Sequence, residues 1–241
     1  MLTGCLDHRA TPLVLAAALG CLTLAGCASA PPPKPAVVEA GPVKERVDTG
    51  ATYFESEIGG MDQDGVERRF KSLMGPITKC FESGSERVEQ IGGSFTVSFR
   101  VDRQGKTRWA YMKASTIGDR GTESCILDIV RLETWPRPLS GEGLAEKTID
   151  IEPSKQPHVL DEKRVKALAR IAKKHVAKTC RKGFQGGFLA TLYLEPNGKV
   201  RTAGLSTPNE KADAVADCIT SEIQKLRFTA TGKLAKVSFE M

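Results

Sequence analysis

Two stretches of the chain read alike: Phe95–Cys125, FTVSFRVDRQGKTRWAYMKASTIGDRGTESC, and Phe188–Cys218, FLATLYLEPNGKVRTAGLSTPNEKADAVADC. Each is 31 residues long and they align without a gap. They agree at Phe95/Phe188, Gly105/Gly198, Lys106/Lys199, Arg108/Arg201, Ala110/Ala203 and Cys125/Cys218. Six identities carry little weight alone, but the patterning around them agrees too. Phe95, Val97, Phe99 and Val101 alternate with Ser94, Thr96, Ser98 and Arg100, the period of a half-buried strand. Asp102-Arg103-Gln104-Gly105 turns that strand into a second over Lys106–Ala114. Glu195-Pro196-Asn197-Gly198 does the same, with Asn-Gly a strong hairpin signal.

Outward from these hairpins the pattern becomes helical. Val66, Phe70, Leu73, Ile77 and Phe81 mark a helix before the first, which Gly75-Pro76 is expected to kink. Val165, Leu168, Ala172 and Val176 mark one before the second, running toward Cys180. After the hairpins, Cys125, Ile126, Ile129 and Val130 fall on one helical face, ending near Trp135 because Pro136 follows. Val215, Cys218, Ile219, Ile223 and Leu226 form the counterpart. Closing strands are expected at Lys147–Glu152, with Ile149 and Ile151 inward, and at Ala235–Glu240. The expected class is α+β: tandem α-β-β-α-β domains over 63–153 and 160–241, each a three-stranded antiparallel sheet packed by two helices.

Seven cysteines in a 241-residue chain need explaining. Thr11–Ala25, TPLVLAAALGCLTLA, reads as a secretory signal, too short to span comfortably as a mature helix. It runs into Leu24-Ala25-Gly26-Cys27, which resembles a bacterial lipobox. Cleavage before Cys27 would leave that thiol to carry lipid such as palmitate, with residues 1–26 as signal peptide. Ala28, where an aspartate would retain the chain, implies by resemblance to known lipoproteins an outer-membrane anchor facing the periplasm. Residues 27–62 form a Pro-rich tether (Pro31, Pro32, Pro33, Pro35), with Tyr53, Phe54 and Ile58 able to pack back on the first domain. Cys5 and Cys21 leave with the signal. Cys80, Cys125, Cys180 and Cys218 remain, and an oxidising periplasm predicts two disulfides. Bridges 80–125 and 180–218 are preferred because each stays inside one repeat and links its two helices; cross-repeat pairing is the alternative.

The element order, the D-x-x-G-K hairpin and a helix entering Trp135-Pro136 resemble the TonB C-terminal superfamily. Cys80-Phe81, Glu123-Ser124-Cys125, Thr-Ile-Gly-Asp at 116–119 and Trp135-Pro136 with Pro138 resemble one branch more closely, the AgmX/PglI-type C-terminal domain of gliding-motility proteins. The resemblance covers about 62–152. The second block, with Leu226-Arg227-Phe228 in place of Trp-Pro, looks like a diverged copy. The resemblance implies strand pairing at a sheet edge as a binding mode. A TonB energy transducer keeps its N-terminal membrane helix, so a chain that exchanges it for lipid is expected to bind rather than to transmit energy.

Catalytic signatures are not found: no G-x-S-x-G, no histidine pair at i, i+4, no C-x-x-C. Glycine does not stand five residues before Gly105 or Gly198, so the Gly-Lys pairs are turns, not phosphate loops. No enzyme activity, cofactor or metal is expected. His175 reads as a solvated residue, and Glu123, Asp128, Asp213 and Asp217 as helix-surface charges. Net charge is +6. It lies mainly in residues 161–241, with 16 basic and 8 acidic residues against 14 and 13 in 65–153. Lys163, Arg164, Lys166, Arg170, Lys173, Lys174, Lys178, Arg181 and Lys182 concentrate it on one helix, a candidate contact for an anionic surface. The expected function is a non-enzymatic lipoprotein that binds or scaffolds in a periplasmic envelope assembly, with motility machinery one setting. Its expected partners are the membrane, through the lipid, and an envelope protein or peptidoglycan, with no nucleic acid. The alternative is a peptidoglycan-acting envelope enzyme or enzyme accessory.

Overall fold

A computed structural model of the chain describes residues 60–180 and 186–241. Cys27, the apolar run, the tether aromatics, Arg181 and Lys182 lie outside the described residues.

Helix α1 (Gln63–Arg87) buries Val66, Phe70, Leu73, Ile77, Cys80 and Phe81. Gly75-Pro76 does not break it. Both residues are exposed, as is Ser72, whose carbonyl proline leaves without a helical donor, so water can serve it. The first sheet follows: β1 (Gly93–Val101), β2 (Thr107–Ser115) and, after α2 (Arg120–Leu132), β3 (Gly143–Ile151). It is antiparallel with order β2-β1-β3. β3 starts at Gly143, earlier than Lys147, because Leu144 and Ala145 pair with Arg100 and Phe99. α2 stops at Leu132; Thr134 instead bridges Lys106, and Trp135 folds into the core. The Trp135 ring lies 4.3 Å from Phe99 and 4.9 Å from Phe70, centroid to centroid.

The second sheet holds β5 (Leu189–Leu194), β6 (Val200–Ser206) and β7 (Ala235–Glu240). It has four strands, not three: β4 (His158–Val159) runs parallel beside β7, giving the order β4-β7-β5-β6. Two residues of alternation are too few to be read from sequence. Helix α3 (Glu162–Thr179) precedes β5, capped by Asp161, whose carboxylate accepts from Arg164 N–H at 3.0 Å. The helix expected near Cys218 is α5 (Ala216–Gln224), preceded by a short α4 (Glu210–Asp213).

The two hairpin turns are built alike. Gly105 and Gly198 have φ of 82° and 83°, open only to glycine without strain. The carbonyls of Gly105 and Gly198 accept from Trp135 N–H and Phe228 N–H, each at 2.8 Å. Disulfides join Cys80 to Cys125 and Cys180 to Cys218, with Cα atoms 5.8 and 6.1 Å apart.

Candidate functional site

Each sheet has one face on its own helices and one turned away. In the second sheet, Ala190, Leu192 and Leu194 face a core shared with α3 and α5, so Thr191 and Tyr193 face the other way. That outer face is covered by loops of the first half. Thr202 Oγ1 donates to Gly118 O at 2.9 Å, Tyr193 O–H to Gln90 O at 3.0 Å, and Lys236 Nζ to Gly92 O at 2.7 Å. Arg201 Nε donates to Arg87 O. The Tyr193 ring joins the first sheet's hydrophobic core, under Lys236, whose Nζ is 5.4 Å from the ring centroid. Burial lowers the Lys236 ammonium to about 8.

Glu123 is the hub of this contact. It is fully buried, contrary to its reading as a surface charge. The prediction failed because the face of α2 that carries it is covered by β6, distant in sequence. Ser115 Oγ donates to Glu123 Oε1 at 2.6 Å, and Leu205 N–H of β6 donates to Oε2 at 2.8 Å. β6 has glycine at 204 where it passes: a Cβ there would meet Glu123 Oε1 and lie 2.8 Å from Asp119 N. Burial pushes the Glu123 carboxyl up to about 7; the Ser115 and Leu205 hydrogen bonds and the Arg120 charge oppose that rise. Arg120 Nε pairs with Asp217 at 2.7 Å and Arg120 Nη2 with Asp213 at 3.3 Å. Arg131 Nη2 reaches Asp213 at 3.0 Å. Asp213 is therefore largely buried too, whereas Asp128 and Asp217 are exposed. Arg87 and Asp119 pair at 2.6 Å, and Asp119 caps α2 through Thr122 N–H. Arg87, Arg120 and Arg131 each have a carboxylate partner, which offsets their desolvation, whereas Glu123 is held by hydrogen bonds alone.

The predicted basic helix is α3. Lys163, Lys166, Arg170, Lys173, Lys174 and Lys178 are exposed; Arg164 is half-buried and donates to Ala230 O at 2.9 Å. Lys166 pairs with Glu162 at 2.5 Å. Among the described residues, Lys163, Arg170, Lys173, Lys174 and Lys178 have no ion pair, whereas Arg87, Arg100, Arg108, Lys113, Arg120, Arg131 and Lys147 all do. Like charges face each other at Lys166/Arg170, Arg170/Lys174 and Lys174/Lys178, four residues apart, each costing about 0.3 kcal/mol. Ile171, 47% exposed, borders this basic face on the side nearer Leu168. Beside it runs a groove of about 80 Å³ lined by Leu160, Leu168, Ile171 and Phe228. His175 is not fully solvated: Nε2 lies 3.0 Å from Glu222, which also holds Lys225.

The sheet edges differ. β2 approaches β6, with Thr207 N–H donating to Met112 O at 2.8 Å. β3 has no strand on its outer side among the described residues. Its Lys147 turns onto Glu67 of α1 at 2.7 Å. An open depression of about 420 Å³ at the first turn carries Asp102, Arg103, Arg108 and Glu142. Among the described residues no helix is long and apolar enough to cross a membrane, and no group of three His, Cys, Asp or Glu could hold a metal.

Sequence reasoning passed over Tyr193 and Arg120 and took Glu123 for a surface charge. One signal was present in the alignment. Trp109, Tyr111 and Lys113 of the first stretch correspond to Thr202, Gly204 and Ser206 of the second, a run of small residues where a neighbour packs closely. Compared with known proteins, the chain matches no family model, no curated protein and no solved structure.

Proposed function

We propose that the chain is a non-enzymatic outer-membrane lipoprotein, anchored through Cys27 and facing the periplasm, that binds or scaffolds within an envelope assembly. In this reading the two halves are tandem TonB C-terminal-like domains, 63–153 and 160–241, the second a diverged copy. Their disulfide-linked helices pack each sheet, and the extra strand β4 is an addition to the second. The observation that carries the reading is the pair of disulfides, one per half. Such bridges persist in oxidising compartments, and they leave no free thiol among the described residues. The unpaired outer side of β3 supports binding by strand addition, and the matched docking of the two turns supports the copy reading.

The test joins localisation to capture. Globomycin or Cys27→Ala should leave the chain unprocessed and shift it out of the outer-membrane fraction. Crosslinking in intact envelopes should then recover a defined partner from wild-type cells, lost when β3 is blocked by Thr148→Pro. Unchanged fractionation would overturn the anchor; peptidoglycan cleavage by the purified chain would overturn the non-enzymatic reading.

A further inference from the structure

We infer that the outward face of α3 is a docking surface for anionic lipid headgroups, with Ile171 as its apolar contact. The inference deepens the reading above, since it rests on a chain held at a membrane.

The argument begins with an imbalance. Among the described residues, nine of the fourteen cations of residues 65–153 pair with carboxylates. Along α3 cations are stacked on one side, Lys163, Arg170, Lys173, Lys174 and Lys178, and none has an ion pair among the described residues. A helix that accumulates like charge without compensation departs from local consistency, and such departures mark places where function overrides stability. The opposite side of α3 is committed to the fold: Leu168, Ala172 and Val176 are buried. The cations are therefore held on a fixed rod. At 1.5 Å per residue, Lys163 to Lys178 spans roughly 22 Å, enough to lie across several headgroups.

Charge alone would suit any polyanion. Ile171 selects among them. It is a large aliphatic side chain, 47% exposed, at the rim of the lysine face beside Lys174 and backed by the groove that Leu160, Leu168 and Phe228 line. A cationic helix face with an exposed aliphatic contact is the pattern of interfacial helices, whose apolar side chains enter the boundary between headgroups and acyl chains. A glycan strand provides charge but no such apolar phase. Each lysine near an anionic bilayer attracts it modestly, and the attraction is screened by salt. Cys27 precedes α1 by only 36 residues. A lipid there raises the local concentration of α3 at the bilayer, so weak contacts suffice.

The experiment uses the full chain reconstituted into vesicles of phosphatidylcholine alone or with 30% phosphatidylglycerol. Lysine acetylation rates are read by mass spectrometry. At low salt, phosphatidylglycerol should slow acetylation of Lys163, Lys173, Lys174 and Lys178 about threefold or more, leaving Lys79, Lys106 and Lys225 unchanged. Half-molar salt should abolish the protection, and Ile171→Ser should reduce it. Equal rates on both vesicles, or slowing at all lysines alike, would overturn the inference. Protection by isolated peptidoglycan sacculi without protection by vesicles would also overturn it, in favour of the cell wall. Failure of the anchor registers separately, as loss of the chain from phosphatidylcholine vesicles on washing.

Discussion

The outer faces of the two sheets occupy aligned positions of the sequence but carry different side chains. At aligned positions the first sheet carries Trp109, Tyr111 and Lys113, the second Thr202, Gly204 and Ser206. On the first, the tilted rings of Trp109 and Tyr111 pack with centroids 5.7 Å apart, Lys113 pairs with Glu146 at 2.7 Å, and Thr96 bonds Thr148 across strands at 2.8 Å. This face supports itself. On the second, hydroxyls and a glycine admit the backbone of residues 115–119 and the carboxylate of Glu123. The lesson is that an outer sheet face is specified by side-chain size as much as by polarity. Large side chains keep a face for themselves; small hydroxyl-bearing ones yield it to a neighbour and satisfy that neighbour's carbonyls.

The largest effect should be indifferent to this contrast and so calibrates it. Loops of 45 and 38 residues give each disulfide about 4 kcal/mol in the chain-entropy account. Denaturant melts of single Cys→Ser pairs should show similar losses for the two bridges. A loss confined to one pair would mean that the halves differ in stability for reasons beyond their outer faces.

The next effect belongs to the contact between the sheets. Glu123 has its carboxyl raised from 4.5 to about 7, so the folded state holds a proton that the unfolded chain releases. Stability from this group is fully present below about pH 4.5 and is lost as pH rises through about 7. The span is roughly 3 kcal/mol at 1.36 kcal/mol per unit. Glu123→Gln keeps an acceptor for Leu205 N–H and removes the titration. Melts of wild type and variant between pH 4.5 and 8 should diverge by about that amount; parallel curves would show that the contact opens to water.

Exchanging residues between the faces sharpens the comparison directly. Gly204→Tyr, which places the first sheet's residue on the second, should cost about 3 kcal/mol by overpacking. It should also raise hydrogen exchange at Leu205 N–H, the bond to Glu123. Trp109→Thr, the reverse exchange, should cost about 1 kcal/mol, because the ring is only half-buried and rests on its own sheet. Equal costs would erase the distinction between a self-supporting face and a yielding one.

Much of the fold was legible. Both hairpins and the amphipathic helices follow from local rules: period-two and period-3.6 patterning and turn chemistry at Gly105 and Gly198. The 80–125 and 180–218 bridges are preferred from sequence because each stays inside one repeat, with cross-repeat pairing left open, and the structure forms both. The cations of α3 were legible as a run, since charge is local information. Their lack of ion-pair partners was not, because that depends on which carboxylates the fold brings near. β4 was invisible for want of length. At Pro76 the residue is read from the sequence, but only the exposure of Ser72 decides that water can replace the missing donor.

The sequence by itself determined which faces of each strand and helix are apolar, and therefore that two sheets would each pack against helices. The tertiary structure alone decided what covers the remaining faces. Glu123 and Leu205 are 82 residues apart, beyond the range of any periodicity. Whether that carboxyl is a solvated surface charge or a buried hub titrating near neutrality depends on whether a distant strand closes over it, excludes water and supplies the N–H it needs.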